Sequence, residues 1–208
     1  MNYEILLAFA TATAALAIFP GPDNIYVLMQ SIAYGKKFGL ATVAGLMTGC
    51  LVHTSLLAFG ISAVINENEN LFFVIKLFGA LYLLYLAFLV FKSDASLTLS
   101  GDIGPKKSLG QLFRQGFIMN VLNPKVTIFF LAFFPGFLFS ETLNPILQFY
   151  ILGFLFIFVS TIIFGLIAVL AGMISDFVSK SANLGSFLKW LQIVVFVGIA
   201  VYLLVSDK

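Results

Sequence analysis

Apolar residues along this chain do not alternate, nor do they recur every third or fourth position. They come in long runs separated by short polar breaks. A helix needs about 20 mostly apolar residues to cross the hydrocarbon core of a bilayer. Six stretches meet that length, at 4–31, 39–65, 71–91, 111–139, 143–172 and 187–205, helical by length rather than by amphipathic period. The first and fourth are long for a single span, and each has prolines inside it. Lys92 to Gly110, rich in Ser, Gly and Asp, is the only sizeable polar linker. The predicted fold is an all-α integral membrane protein, one membrane domain over 1–208. It has six transmembrane helices in two halves, 1–91 and 111–208, joined by a linker at 92–110.

Composition strengthens the membrane assignment. The chain is 61% hydrophobic and 10% charged, with a mean hydropathy of +1.09. A soluble domain carries about 25% charged residues, so this one could not cover its own surface in water. A net charge of +2 is too small to point to nucleic acid. The first 19 residues contain one charge, the acidic Glu4, unlike the basic start of a cleaved signal peptide. The first apolar segment is therefore expected to stay.

Charge also orients the spans. The loops near 32–38, 92–110 and 173–186, with their helix flanks, hold Lys36, Lys37, Lys92, Lys106, Lys107, Arg114, Lys180 and Lys189, eight of eleven basic residues. Glu4, Glu67, Glu69, Glu141 and Asp207 fall on the other side. The positive-inside rule assigns the basic side to the cytoplasm and both termini to the outside. An odd number of helices per half then makes the halves inverted repeats, an architecture common among secondary transporters.

The breaks carry the chemistry. Pro20-Gly21-Pro22-Asp23-Asn24 interrupts the first segment and Asn123-Pro124-Lys125 the fourth, with Pro22 and Pro124 102 residues apart. Proline inside a helix removes a hydrogen bond and clashes with the preceding turn, and Gly21 eases an unusual backbone. Pro22 suits the first position of a new half-helix, which places Asp23 and Asn24 in its first turn. Asn123 is set to cap a half-helix beginning at Pro124, with Lys125 in its first turn against the dipole. Freed backbone groups at membrane depth are tolerated where they line a cavity or find protein partners. A central pocket lined by both breaks would offer a carboxylate to an ammonium and positive potential to a carboxylate. That suits small amino-acid-like molecules. The alternative is that Asp23 and Lys125 neutralise each other as a buried pair fixing the two halves.

Other polar residues add less. His53, the only histidine, lies near mid-depth of the second segment, as a proton relay or as a hydrogen-bonded structural residue. Asn120, three residues before Asn123, either extends the polar lining or bonds a neighbouring helix. Cys50 is the only cysteine, which excludes an internal disulfide or a cysteine metal cluster, and reads as a packing residue. Ala41, Gly45 and Gly49, then Thr161 with Gly165 and Ala168 with Gly172, have the small-residue spacing that brings helices together in lipid. No catalytic constellation, metal site or cofactor is expected. An integral-membrane enzyme and a non-transporting scaffold subunit are the competing classes, and a homo-oligomer is left open.

At these residues the chain resembles the LysE/RhtB family of bacterial amino-acid exporters. The match runs through Pro20-Gly21-Pro22-Asp23-Asn24, the lysine-containing loop before Gly39, and Phe113-Arg114-Gln115-Gly116-Phe117 leading to Asn123-Pro124-Lys125, then the aromatic run Phe129 to Phe137. The resemblance implies efflux of amino acids or close derivatives across the bacterial plasma membrane, driven by the proton-motive force or an equivalent ion gradient. It places Asp23 and Lys125 at the central site, shaped by Pro22, Asn24, Asn123 and Pro124. Phe19 and Gly136 depart from the family pattern, so substrate identity does not carry over.

Overall fold

The computed structural model describes residues 3–19, 21–61, 69–93, 105–174 and 184–205, and every regular element among them is helical. In chain order these are α1 (Tyr3–Ile18), α2 (Pro22–Tyr34) and α3 (Lys36–Leu56, continued by a wider π turn over Leu57–Ile61). They are followed by α4 (Glu69–Lys92), α5 (Leu109–Val121) and α6 (Pro124–Phe133, ending in a tight 3-10 turn over Phe134–Phe137). The last two are α7 (Pro145–Val169) and α8 (Leu184–Val205).

Three helices are long and apolar enough to cross a membrane alone: Lys36–Ile61, Pro145–Val169 and Gly185–Tyr202. Two bent pairs bring the total to five. The α1–α2 pair bends by 60°, and Leu109–Val121 with Val126–Phe137 bends by 55°. Among the described residues the count is thus three to five candidate spans, against the six expected. The expected third span falls on α4, a 24-residue helix of which Leu77–Lys92 is counted as an apolar helix among the described residues. Most of the 92–110 linker falls at 94–104, outside the described residues, as do Pro20 and the side chain of Lys125.

Local sequence explains where several helices begin. Ser108 caps α5 reciprocally with Gln111: the Gln111 amide donates to Ser108 Oγ (3.3 Å) and the Ser108 amide to Gln111 Oε1 (2.8 Å). Asn144 Oδ1 accepts from the Ile146 amide at 2.8 Å, ahead of Pro145 in the first position of α7. Gly35 alone links α2 to α3, at φ +96, a conformation that favours glycine.

The most extensive helix contact is between α3 and α5. A Cβ at Gly45 would collide with the Phe113 carbonyl, and one at Gly116 with the Thr42 carbonyl, so the two backbones touch. The small residues expected on the second segment therefore pack as read. Of the two pairs on the fifth segment only Ala168 packs closely, against Gly39; Thr161 is exposed, and a Cβ at Gly165 or Gly172 would meet nothing within 4 Å. Thr161 instead donates its hydroxyl to the Ile157 carbonyl of its own helix at 2.6 Å.

Two apolar clusters occupy opposite ends of the bundle. The larger takes in the second half of α3, the first half of α7 and the aromatic run of α6. In it Phe9 meets Phe133, Phe134 and Phe137 with ring centroids 5.0–5.5 Å apart, and Phe130 stacks on Phe134 at 4.2 Å. The smaller holds Ala17, Val27, Val43, Leu46, Met47, Phe164 and Ala168, from the first half of α3 and the second half of α7. Between the clusters lie the two helix breaks.

Candidate functional site

The first break follows the local sequence closely. Gly21 is extended (φ −136, ψ 176) and precedes Pro22, the first residue of α2. Asp23 and Asn24 occupy the first turn, where the N-terminal end of the helix dipole favours a carboxylate. The last turn of α1 leaves carbonyls without helical donors. One of them, on Ala17, accepts from Asn24 Nδ2 at 2.7 Å. Asn24 thus ties the two sides of the break together.

At the second break, Asn123 sits between α5 and α6. Its carbonyl accepts from the amides of Val126 and Thr127, both at 3.1 Å, as expected of the residue preceding a helix. Its side-chain Nδ2 crosses to the other half of the chain and donates to Asp23 Oδ2 at 3.2 Å. The two breaks, 100 residues apart in sequence at this contact, therefore meet.

A cavity of about 70 Å³ lies at the meeting point. Its polar wall is Asp23, Asn24, Asn120, Asn123 and Ser160, with the Gly21–Pro22 turn beside them. Its apolar wall includes Leu46, Met47, Phe129, Phe156, Phe164 and Phe196. Phe19, one of the two departures from the family pattern, is buried and also faces the cavity. Gly136, the other, lies away from it and accepts from the Tyr202 hydroxyl at 3.1 Å. The space is polar on one side and aromatic on the other, suited to a small molecule with a charged head and an apolar remainder.

Asn120 serves three neighbours. Its Nδ2 donates to Cys50 Sγ at 3.5 Å, its carbonyl lies 3.1 Å from His53 Nε2, and its amide packs against Gly49. A carbonyl only accepts, so Nε2 is the protonated nitrogen of His53 in this contact. Asn120 Oδ1 is buried without a hydrogen-bond partner. Ser160 Oγ, on α7, is likewise buried and unpartnered. Buried polar atoms in proteins nearly always have partners, so two orphaned oxygens on the wall of a cavity mark where a polar guest or water would bind.

The structure thus gathers Asp23, Asn24, Asn120 and Asn123 with Gly21 and Pro22 around one space. His53 stands behind the wall, its ring against Phe130 at 5.4 Å, and touches the site through Asn120. Pro124 opens α6 but does not line the cavity. Besides the apolar wall, two lining residues with a sulfur or hydroxyl group were not anticipated. Cys50, read as packing, is on the wall, and Ser160 was passed over in favour of its neighbour Thr161. The adjacent Ser160–Thr161 hydroxyls inside the most apolar helix were the available signal.

The profile of the LysE type translocator family matches residues 14–207. The homoserine/homoserine lactone efflux protein of Salmonella typhimurium is 28% identical over 178 residues, covering 86% of this chain and 85% of that protein. Its counterpart in Salmonella typhi is 29% identical over the same shares. The membrane protein YrhP of Bacillus subtilis is 33% identical over 141 residues, 64% of this chain and 67% of that one. No solved structure matches the chain significantly.

Proposed function

Because this chain belongs to the LysE type translocator family, we propose that it is a secondary transporter exporting amino acids or close derivatives from the cytoplasm. The observation that carries this is the Asp23–Asn123 contact beside a cavity formed where two broken helices meet. Broken helices whose N-termini face a midplane cavity are how secondary transporters build substrate sites. In this reading the carboxylate of Asp23 receives the substrate ammonium, and Lys125 with the N-terminus of α6 receives its carboxylate. Asn24, Asn120 and Asn123 shape the polar wall, and His53 holds Asn120 through its carbonyl and handles the coupling proton. The aromatic wall takes the remainder of a small molecule of the kind named for the Salmonella relatives, homoserine or its lactone.

The same proposal takes the bent pairs and α4 as full crossings. That makes six spans in two inverted three-helix halves, in the plasma membrane, with both termini outside and the proton-motive force as the driving gradient. Helix packing supports the pseudo-symmetry. Contacts of α3 with α5 are matched by α7 with α1, while α3–α7 and α4–α8 each pair equivalent helices of the two halves.

The test is counterflow in proteoliposomes against a panel of amino acids and lactones, with and without a pH gradient. Exchange of at least one amino acid, accelerated by the gradient, is expected. A second reading, a structural lock, is favoured by the Asp23–Asn123 bond itself. The exchange Asp23→Asn with Asn123→Asp separates the two: an amide still faces a carboxylate, so a lock tolerates it, whereas a substrate site that needs its carboxylate at position 23 does not.

A further inference from the structure

On α2, polar and apolar side chains share the buried face. Val27 and Leu28 are buried there beside Gln30 and Ser31, which are 2% and 6% exposed, while Ile25 and Ile32 are exposed. Asp23, Tyr26, Gln30 and Tyr34 fall at spacings of three and four, one stripe of the helix, with Ser31 at its edge. The stripe begins at the cavity wall with Asp23 and runs to Gly35, Lys36 and Lys37.

Polar atoms along this stripe lack partners. Tyr26 Oη, Gln30 Oε1 and Ser31 Oγ are all buried with no hydrogen bond. Serine and threonine hydroxyls elsewhere in the helices, at Thr42, Thr48, Thr54 and Ser55, bond the carbonyl four residues back. Ser31 does not; it is pressed against Gly39 of α3, which in turn meets Ala168 of α7. Among the described residues, the small cluster of Val27, Val43, Phe164 and its neighbours closes the space between α2, α3 and α7. A polar face at membrane depth is stable where it lines water or pairs with protein. Here it does neither completely.

We infer that the buried face of α2 from Asp23 to Tyr34 is the wall of the substrate path between the central cavity and the lysine-bearing side, seen closed. It opens when α7 draws away from the α2–α3 pair at Ala168, and water then satisfies Tyr26, Gln30 and Ser31. A small zwitterion passing along it exchanges hydrogen bonds with these three side chains on its way to Asp23. This rests on the export reading for its cargo but not for its geometry.

Single cysteines at 30, 31, 32 and 37, with native Cys50 left in place, test the path. A charged, membrane-impermeant thiosulfonate is added to one face of sealed vesicles at a time, and peptide mass spectrometry locates the adducts. Lys37→Cys, on the exposed turn, reports which face is the lysine side. Gln30→Cys and Ser31→Cys should react from that face roughly tenfold or more faster than lipid-facing Ile32→Cys, because the thiolate is the reactive form and lipid keeps a thiol protonated. Ser31→Cys changes one atom, so it covers the case in which Gln30→Cys does not insert. Equal rates at 30, 31 and 32, or reaction only from the opposite face, overturn the path; so does silence at 30 and 31 in protein that still performs counterflow. Labelling of 30 and 31 without counterflow of any amino acid would uphold the hydrated face and overturn the export reading alone.

Discussion

The two half-helices that follow the breaks, α2 and α6, occupy corresponding places in the chain and are built in opposite ways. α2 buries Gln30 and Ser31 beside Val27 and Leu28 and leaves three polar atoms unsatisfied. α6 buries Phe129, Phe130, Phe133 and Phe134, stacked on one another and on Phe9. The smaller cluster seals the α2 end of the cavity and the larger one the α6 end. An aromatic core must leave a void to open, whereas a polar face only needs water. The difference teaches that the two sides of the cavity are not equally ready to part, with the lysine-bearing side the easier one.

The sharpest way to break this comparison acts where the two half-helices touch. In the export reading Asp23→Asn removes the partner of the substrate ammonium, and losing one partner of a desolvated charge pair costs about 2–5 kcal/mol, so transport in proteoliposomes is expected to fall roughly 30-fold or more. Insertion and thermal unfolding in detergent should change far less. Next comes the aromatic seal. Phe134→Ala, at a fully buried position, should lower stability by about 3–5 kcal/mol, read by denaturant unfolding in micelles.

On α2 the effects should have opposite signs. Gln30→Leu replaces an unsatisfied polar group by an apolar one of similar size, so stability should rise by about 1–3 kcal/mol while counterflow slows several-fold. A joint loss of stability and transport would show that Gln30 is simply well packed. The smallest change is expected at Ser160→Ala. Stability should move by less than about 1 kcal/mol, the scale of a hydroxyl with no bond to lose. Apparent affinity for the transported amino acid should fall, read as a higher half-saturation concentration.

Much of this was legible in the chain because covalent geometry leaves few choices. Pro22 had to open a helix and Gly21 had to precede it, so Asp23 and Asn24 fell in a first turn. Asn123 was legible as the residue before a helix, but its reach to Asp23 was not, because sequence shows which residues sit at a break and not which breaks face each other. Ser160 was missed for a related reason. Two adjacent hydroxyls on a helix point about 100° apart, and only packing decides which one meets the cavity. The polar stripe of α2 was hidden because Ile25, Val27, Leu28 and Ile32 make the segment read as apolar by content, and its direction appears only when exposed and buried faces are known.

The single-residue link at Gly35 has a mechanical consequence. With no slack between α2 and α3, α2 is a lever pivoted at its far end, about 20 Å long at 1.5 Å per residue. A rotation of about 10° at that pivot would sweep the opposite tip by about 3 Å, as far as the 3.2 Å separating Asp23 Oδ2 from Asn123 Nδ2. A torsional change in one glycine beside Lys36 and Lys37 is therefore enough to make or break the Asp23–Asn123 hydrogen bond at the other end of α2. Leverage, more than contact, links the two.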